Sequence, residues 1–418
     1  MLHPRHEGIG FLTGESIQPD VTANDRAPKS LRWWLLIANV CVGLCIYIIT
    51  AHLTVGHRGD LGRMWMAGRL VAEGRGASLY DPVQQEAALR TYLDEDTIEG
   101  LHMSGIGWLT YPPVQGILYA PFGATSPSSA QWWMVQISLC AVIIAAIGMS
   151  RVPSGGVPAS VVVLTLLFQP AFFSNVGSGQ NATVTLAIIV VGWSLLLRDR
   201  AVLAGAVWGL LAYKPTWGLA VCWIPIVTGY PKAYLGMFAS GMVLVITSIA
   251  ICGAHAWAEW FEIARQVEAG YASNSDWVWA RRDLVGLLQH IFGGVSPIVS
   301  WGISAIVVLV TALVHNKRSC DISGRIQGSL LFCGVVLSCT KFMYYDILMA
   351  TPAFLLAWSE WKQLTRAPAL LLVILSSLFF GAFLIGYGAW PFCLPLETAA
   401  TLGLWLWCIW LVMNRQAV

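Results

Sequence analysis

The sequence predicts an all-α polytopic membrane protein, and three observations carry that prediction. Of its 418 residues, 57% are hydrophobic and 11% charged, with a mean hydropathy of +0.66, whereas a soluble domain carries roughly 25% charged residues. The apolar residues come in repeated runs near the length of about 20 that a helix needs to cross a bilayer. The 21 Trp gather near the ends of such runs, as in Trp33-Trp34, Trp132-Trp133, Trp257/Trp260 and Trp358/Trp361, where indole rings sit at a water–lipid boundary. A soluble core of this length would split into domains; a helical membrane bundle need not. The net charge of +2 is too small to point to nucleic acid.

Residues 1–31 are polar and carry Pro4, Pro19 and Pro28. They read as a disordered cytoplasmic tail. The apolar run behind them lies too far in for a signal peptide and lacks a small-residue cleavage site, so it reads as an uncleaved helix. Residues 32–414 then form a single transmembrane domain, and 415–418 a second short cytoplasmic tail. Candidate spans are 33–52, 131–150, 157–174, 181–197, 201–213, 216–229, 233–253, 296–315, 326–341, 344–358, 368–387 and 395–413, about twelve in all. Tyr213-Lys214-Pro215 interrupts the run 201–229. Proline removes a donor and clashes with the preceding turn, so two half-length helices meet there, their irregular backbone buried in protein.

Basic loops set the orientation. Arg26, Lys29, Arg32, Arg198, Arg200, Lys232, Lys317, Arg318, Arg325, Lys362, Arg366 and Arg415 all fall on the cytoplasmic side if both termini are inside. The outer side then holds the 53–130 loop, Gly177–Asn181, Lys214-Pro215, the loop 254–295 and Lys341–Asp346. The run 112–122 is too short to cross twice. It reads as a re-entrant hairpin or a surface helix; if it spans once, every later assignment inverts.

Within the first outer loop, apolar residues at 61, 64, 65, 68, 71 and 72 make one helical face with Arg63 and Arg69 off it. Asp81-Pro82 starts another helix, Asp as N-cap and Pro in the first turn. Helices of this kind can lie flat in the membrane interface. The ten Cys lie mostly in apolar runs without metal-type spacing, so they read as small core residues. Internal symmetry, the mark of many transporters, is not evident.

Several residues are able to carry chemistry. Asp60 opens the first amphipathic helix; a carboxylate there can cap the helix, act as a base, or do both. Tyr111-Pro112-Pro113 is a rigid extended turn, since a proline holds its predecessor extended. In Gly177-Ser-Gly-Gln-Asn181 the glycines permit close backbone approach. There Gln180 and Asn181 either bind sugar hydroxyls or form a tight turn with Asn as N-cap. Lys214 is a cation inside an apolar run, where insertion costs about 2.5–3.5 kcal/mol. It needs a partner, either a phosphate or Asp346. Lys341-Phe-Met-Tyr-Tyr-Asp346 offers a cation, two phenols and a carboxylate, or simply a salt-bridged turn. Arg281 and Arg282 either clamp a phosphate bidentately or belong to a solvated helix. Gly205-x-x-x-Gly209 suits close helix packing. No zinc motif, P-loop or nucleophile elbow is present, and no metal or other cofactor is expected.

Five blocks in order then resemble a known family: Gly59-Asp60 with Trp65-Met-Ala-Gly-Arg69 and Leu79-Tyr80-Asp81; Tyr111-Pro112-Pro113 with Pro121; Gly179-Gln180-Asn181; Ala204-Gly-x-x-x-Gly-Leu-Leu-Ala-Tyr-Lys214-Pro215; and Tyr345-Asp346 with Pro352. The ordered set, over most of residues 33–360, resembles glycosyltransferase family 87. The resemblance implies a transferase of GT-C architecture that uses a polyprenyl-phosphate-sugar donor and a lipid or glycan acceptor. It also implies a catalytic Asp in the first outer loop, which matches Asp60. The donor phosphate falls to Lys214, Arg281, Arg282 and Lys341, and the sugar or acceptor to Tyr111, Gln180, Asn181, Tyr345 and Asp346. Some members are thought to use a late His; this chain has none there, and Asp346 or Tyr345 are the residues able to replace it. Mannose is the sugar implied, transferred with inversion at the outer face of the plasma or inner membrane. Two rivals stand beside this reading: a flippase for a lipid-linked sugar, and a homologue that keeps the fold without catalysis.

Overall fold

A computed structural model describes residues 60–91, 109–152, 156–273, 280–316, 324–386 and 395–414, all of them in the unit 43–418. The expected span 33–52, Gly59, Lys317, Arg318 and both expected tails lie outside these residues. Among the described residues the structure is helical, apart from one isolated antiparallel bridge between Arg281 and Met343.

Four described helices are long and apolar enough to cross a bilayer: Pro127–Ser150, Ala233–Val267, Pro297–Asn316 and Leu396–Met413. A fifth span results if the pair Ala159–Phe168 and Pro170–Gly177, bent by 65°, is counted as one. The remaining apolar runs give helices of 10–17 residues, among them Ala182–Leu196, Gly324–Ser338 and Arg366–Ala382. Proline accounts for two of the interruptions. Pro170 opens the second helix of the bent pair, where its missing N–H costs nothing. Lys214 sits at φ −135°, ψ 75°, between a 3₁₀ turn Leu210–Tyr213 and the helix Pro215–Val221. The expected break in 201–229 is therefore present. The expected span 344–358 opens instead as a 3₁₀ turn, Tyr344–Ala350, before the helix Thr351–Ser359.

Two expectations need correction. The helix begun at Ala233 is interrupted at a non-helical Gly253 (φ 82°, ψ 156°), where the expected span ends, but a second helix follows to Ser273, so the first part of the expected 254–295 loop is helix. The helix Asp60–Ala72 is not amphipathic in its setting. Leu61 to Gly68 and Leu70 are all buried, Arg63 included. A helix enclosed on every side is a packed element, not one lying flat in an interface. It is enclosed because the helix Pro113–Gly123 lies directly against it: a Cβ on Gly68 would stand 2.1 Å from the Tyr119 carbonyl oxygen, and one on Gly123 2.1 Å from the Arg69 nitrogen. That second helix has 11 residues, about 16 Å at 1.5 Å per residue, short of a crossing. Gly205-x-x-x-Gly209 packs as the sequence suggests: a Cβ on Gly205 would meet the Ala233 carbonyl oxygen at 1.8 Å.

Candidate active site

Asp60 is the first residue of its helix and remains partly exposed. One carboxylate oxygen, Oδ2, accepts a hydrogen bond from Gln180 Nε2, and the other faces Arg63 Nη1 at 3.6 Å. Gln180 Oε1 in turn accepts from the Tyr111 hydroxyl at 3.1 Å. The Gln180 side chain is fully buried, and both ends of its amide are engaged. The structure thus gives Gln180 partners other than sugar hydroxyls.

The turn 178–180 meets the start of the 60–72 helix because residue 179 is glycine. Gly179 has φ +66°, and a Cβ there would lie 2.2 Å from Leu61 Cβ. The Leu61 N–H donates to the Ser178 carbonyl at 2.9 Å, which locks the turn to the helix. Gly179→Ala therefore meets both a left-handed backbone and a clash. The expected cost is roughly 2–4 kcal/mol, read as a lowered melting temperature of the purified protein in detergent; an unchanged melting temperature would refute this packing.

Tyr111 is held from its backbone. Its carbonyl accepts from the Tyr80 hydroxyl at 2.6 Å, and the neighbouring Thr110 carbonyl accepts from Trp260 Nε1 at 3.1 Å. Pro112 is extended, φ −65° and ψ 161°, as its successor proline requires. Asp81 caps its helix as expected, accepting from the Val83 and Gln84 N–H groups. Asn181 does not cap: the Asn175 side-chain oxygen accepts from the Ala182 N–H at 2.7 Å instead. Asn181 Oδ1 is buried and has no hydrogen-bond partner among the described residues.

The cations present a second pattern. Lys214 Nζ lies 2.6 Å from Asp346 Oδ1, both side chains buried, and 5.6 Å from the centre of the Tyr345 ring. Asp346 is thus its partner, one of the two the sequence offered. Arg281 grips Asp283 with Nε and Nη2 at 2.9 and 2.8 Å and also reaches Gln289. Arg282 Nε stands 3.2 Å from Glu397 Oε2. Lys341 is half-buried, the most accessible of the four, with a left-handed backbone (φ 62°); its N–H donates to Asp283 Oδ2 at 3.0 Å.

The Arg281–Met343 bridge draws these residues together. The Arg282 N–H donates to the Phe342 carbonyl and the Tyr344 N–H to the Ala280 carbonyl, both at 3.0 Å. Tyr344 then links the two groups of residues. Its hydroxyl lies 3.5 Å from Ser178 Oγ, on the turn that meets Leu61, and its N–H lies beside the Arg281–Met343 bridge. Sequence reasoning quoted Tyr80, Ser178 and Tyr344 within motifs without assigning them a role, and missed Glu397. Glu397 had a signal, since a lone carboxylate in an apolar run carries the same warning as Lys214.

An open, apolar groove of about 470 Å³ runs along the helices Pro127–Ser150 and Ala182–Leu196. Trp133, Gln136, Ile137, Cys140, Ile144 and Val184 are among its walls. Ile137 also packs on the cluster of Leu61, Met64, Tyr119 and Met134, so one wall of the groove borders the Asp60 region.

Searches of curated proteins and of solved structures each return no match. The model of glycosyltransferase family 87 matches residues 108–340. That stretch contains Tyr111, Gln180, Asn181, Lys214, Arg281 and Arg282, and leaves Asp60, Lys341, Tyr345, Asp346 and Glu397 outside it. Since the match spans more than half of a chain rich in apolar helices, this membrane protein belongs to glycosyltransferase family 87.

Proposed function

We propose that the protein transfers a hexose, mannose by resemblance, from a polyprenyl-phosphate donor to a lipid or glycan acceptor at the extracytoplasmic face, with Asp60 as general base. The observation that carries this reading is the tethered but partly exposed Asp60 carboxylate, held by Gln180 on the turn whose Ser178 meets Tyr344. Asp60 takes the proton from the acceptor hydroxyl as that oxygen attacks the anomeric carbon. The carbon–oxygen bond to the phosphate breaks on the opposite side, with inversion, and polyprenyl monophosphate leaves.

Lys341 and Arg282 are the residues assigned to the departing phosphate. Lys214, Arg281 and Arg282 are buried, each against a carboxylate: Asp346, Asp283 and Glu397. Fixed charge in a water-poor site is usually a large catalytic term. The apolar groove beside Ile137 supports a lipid-linked substrate, since it offers room for a chain next to the polar residues. The twelve-span GT-C arrangement, with both termini inside, belongs to the same proposal.

The test is a membrane assay with polyprenyl-phosphate-mannose carrying a labelled sugar. Label appearing in a new glycosidic bond supports the reading. Label that crosses the bilayer still attached to the donor would decide for a flippase.

Gln180 in this scheme positions the base. Gln180→Leu removes the donor that holds Oδ2. A hydrogen bond to a charged group is worth about 1.5–3 kcal/mol, so kcat should fall about tenfold to hundredfold with KM little changed. Tyr111→Phe on top of it should add less than it does alone, because the two residues act in one chain. A rise in KM at constant kcat would return Gln180 to sugar binding.

A further inference from the structure

The break at Gly253 falls at a telling height. From Ala233 to Cys252 the helix is about 30 Å long, the thickness of a hydrocarbon core. The outward side of this length is apolar: Val243, Ile246, Ile249 and Ile251 are 40–63% exposed. A straight helix from Ala233 to Val267 would measure about 52 Å, well beyond that core. Gly253, at φ 82° and ψ 156°, lets the chain leave the axis where the span is complete. The break packs on the turn behind the Asp60 helix, since a Cβ on Gly76 would stand 3.0 Å from the Ile251 carbonyl oxygen and 3.2 Å from Cys252 Sγ.

Beyond the break, residues 254–267 present three faces at helical spacing. The first turns inward: Ala256 is buried, and Trp260 and Ile263 pack on the cluster that holds Trp65, Leu70 and Tyr80. The second is polar, with His255 and Glu259 meeting at 3.1 Å and Gln266 donating to Glu262 at 3.2 Å. The third holds Ala254, Trp257, Ala258, Phe261 and Ala264, and Phe261 is 62% exposed. Trp257 joins this apolar strip to the span, because its Nε1 donates back across the break to Ser248 Oγ at 2.9 Å. Its ring can therefore touch lipid with no donor left unpaired.

A helix with protein on one side, charge on the second and exposed apolar side chains on the third fits the boundary between lipid and water, where aromatic rings collect. We propose that 254–267 lies in that boundary, its Phe261 strip covered by phospholipid, and that it holds the Asp60 elements at the membrane surface. The hold is direct: Trp260 Nε1 donates to the Thr110 carbonyl at 3.1 Å, beside the Tyr111 whose hydroxyl meets Gln180. The inference is independent of the sugar donor.

The experiment places the photoreactive amino acid benzoylphenylalanine at position 261 of the full-length protein, reconstituted in phosphatidylcholine nanodiscs. Phe261 is exposed, so the exchange leaves the fold intact. Irradiation should attach one phospholipid, read as an added mass on the peptide that contains the label. The same label at Ile249, on the outward side of the span, should also take up lipid and serves as the positive control. At Glu262, on the polar face, uptake should be about tenfold lower. Cross-linked dimers from position 261 would mean that a second copy covers the strip, and would overturn the proposal. So would the absence of an adduct at 261 when 249 is labelled, which would put the strip in water. Equal uptake at 261 and 262 would contradict it too, because the two faces would then share one environment.

Discussion

Asp60→Asn should abolish sugar transfer while leaving the protein folded. A general base is worth roughly a hundred- to ten-thousandfold, and an amide cannot take the acceptor proton. The fold should tolerate the change well. An Asn carbonyl oxygen can still accept from Gln180 Nε2 in place of Oδ2, and the contact to Arg63 is long at 3.6 Å. The melting temperature in detergent should therefore move little while labelled sugar transfer falls at least about a hundredfold. Near-normal transfer in this variant would remove Asp60 from the mechanism. A large loss of thermal stability would instead make it a structural residue.

Lys214→Met should be the most damaging single change to stability. Lys214 and Asp346 are both buried and meet at 2.6 Å. Removing one partner leaves the other charge uncompensated, which costs about 3–5 kcal/mol. Removing both, as in Lys214→Met with Asp346→Leu, should recover most of that loss, because a well-packed apolar pair often matches a buried ion pair. Thermal unfolding of the two single variants and the double variant gives the coupling directly. The same double variant separates the two roles the sequence left open for Lys214. If the lysine is chiefly the partner of Asp346, the double variant keeps its affinity for polyprenyl monophosphate. If it also binds the phosphate, a stable protein with weakened donor binding results.

Much of this site was legible as residues and little of it as contacts. Asp60, Gln180, Lys214, Asp346 and Arg282 each stood out by type and setting, because a polar side chain in an apolar run demands a reason. The Lys214–Asp346 pairing was among the options, since both fall at breaks between helices. The Asp60–Gln180 bond was not, because it depends on a left-handed Gly179 that lets a turn 120 residues away settle on Leu61.

The 60–72 helix misled for a different reason. Periodicity shows where apolar residues point, but not what covers the opposite side: glycines at 68 and 123 set a second helix directly on the apolar face, and Arg63, off that face, is buried all the same. Run length also missed one bend: the stretch expected as 157–174 turns by 65° at Pro170, whereas the Lys214-Pro215 break was legible from its proline. Glu397 escaped notice because the resemblance ends before it, near residue 360, although the rule that singled out Lys214 applied to it equally.

The account depends on one spatial relation, that the donor phosphate and the Asp60 carboxylate share a cavity. A density map of the purified full-length protein with bound polyprenyl monophosphate tests it most directly. The phosphate is expected beside Arg282 and Lys341, with Tyr344 between it and Asp60, and with the lipid chain leaving along the groove past Ile137. A phosphate at the opposite end of the helices, or one divided from Asp60 by packed side chains, would contradict the account.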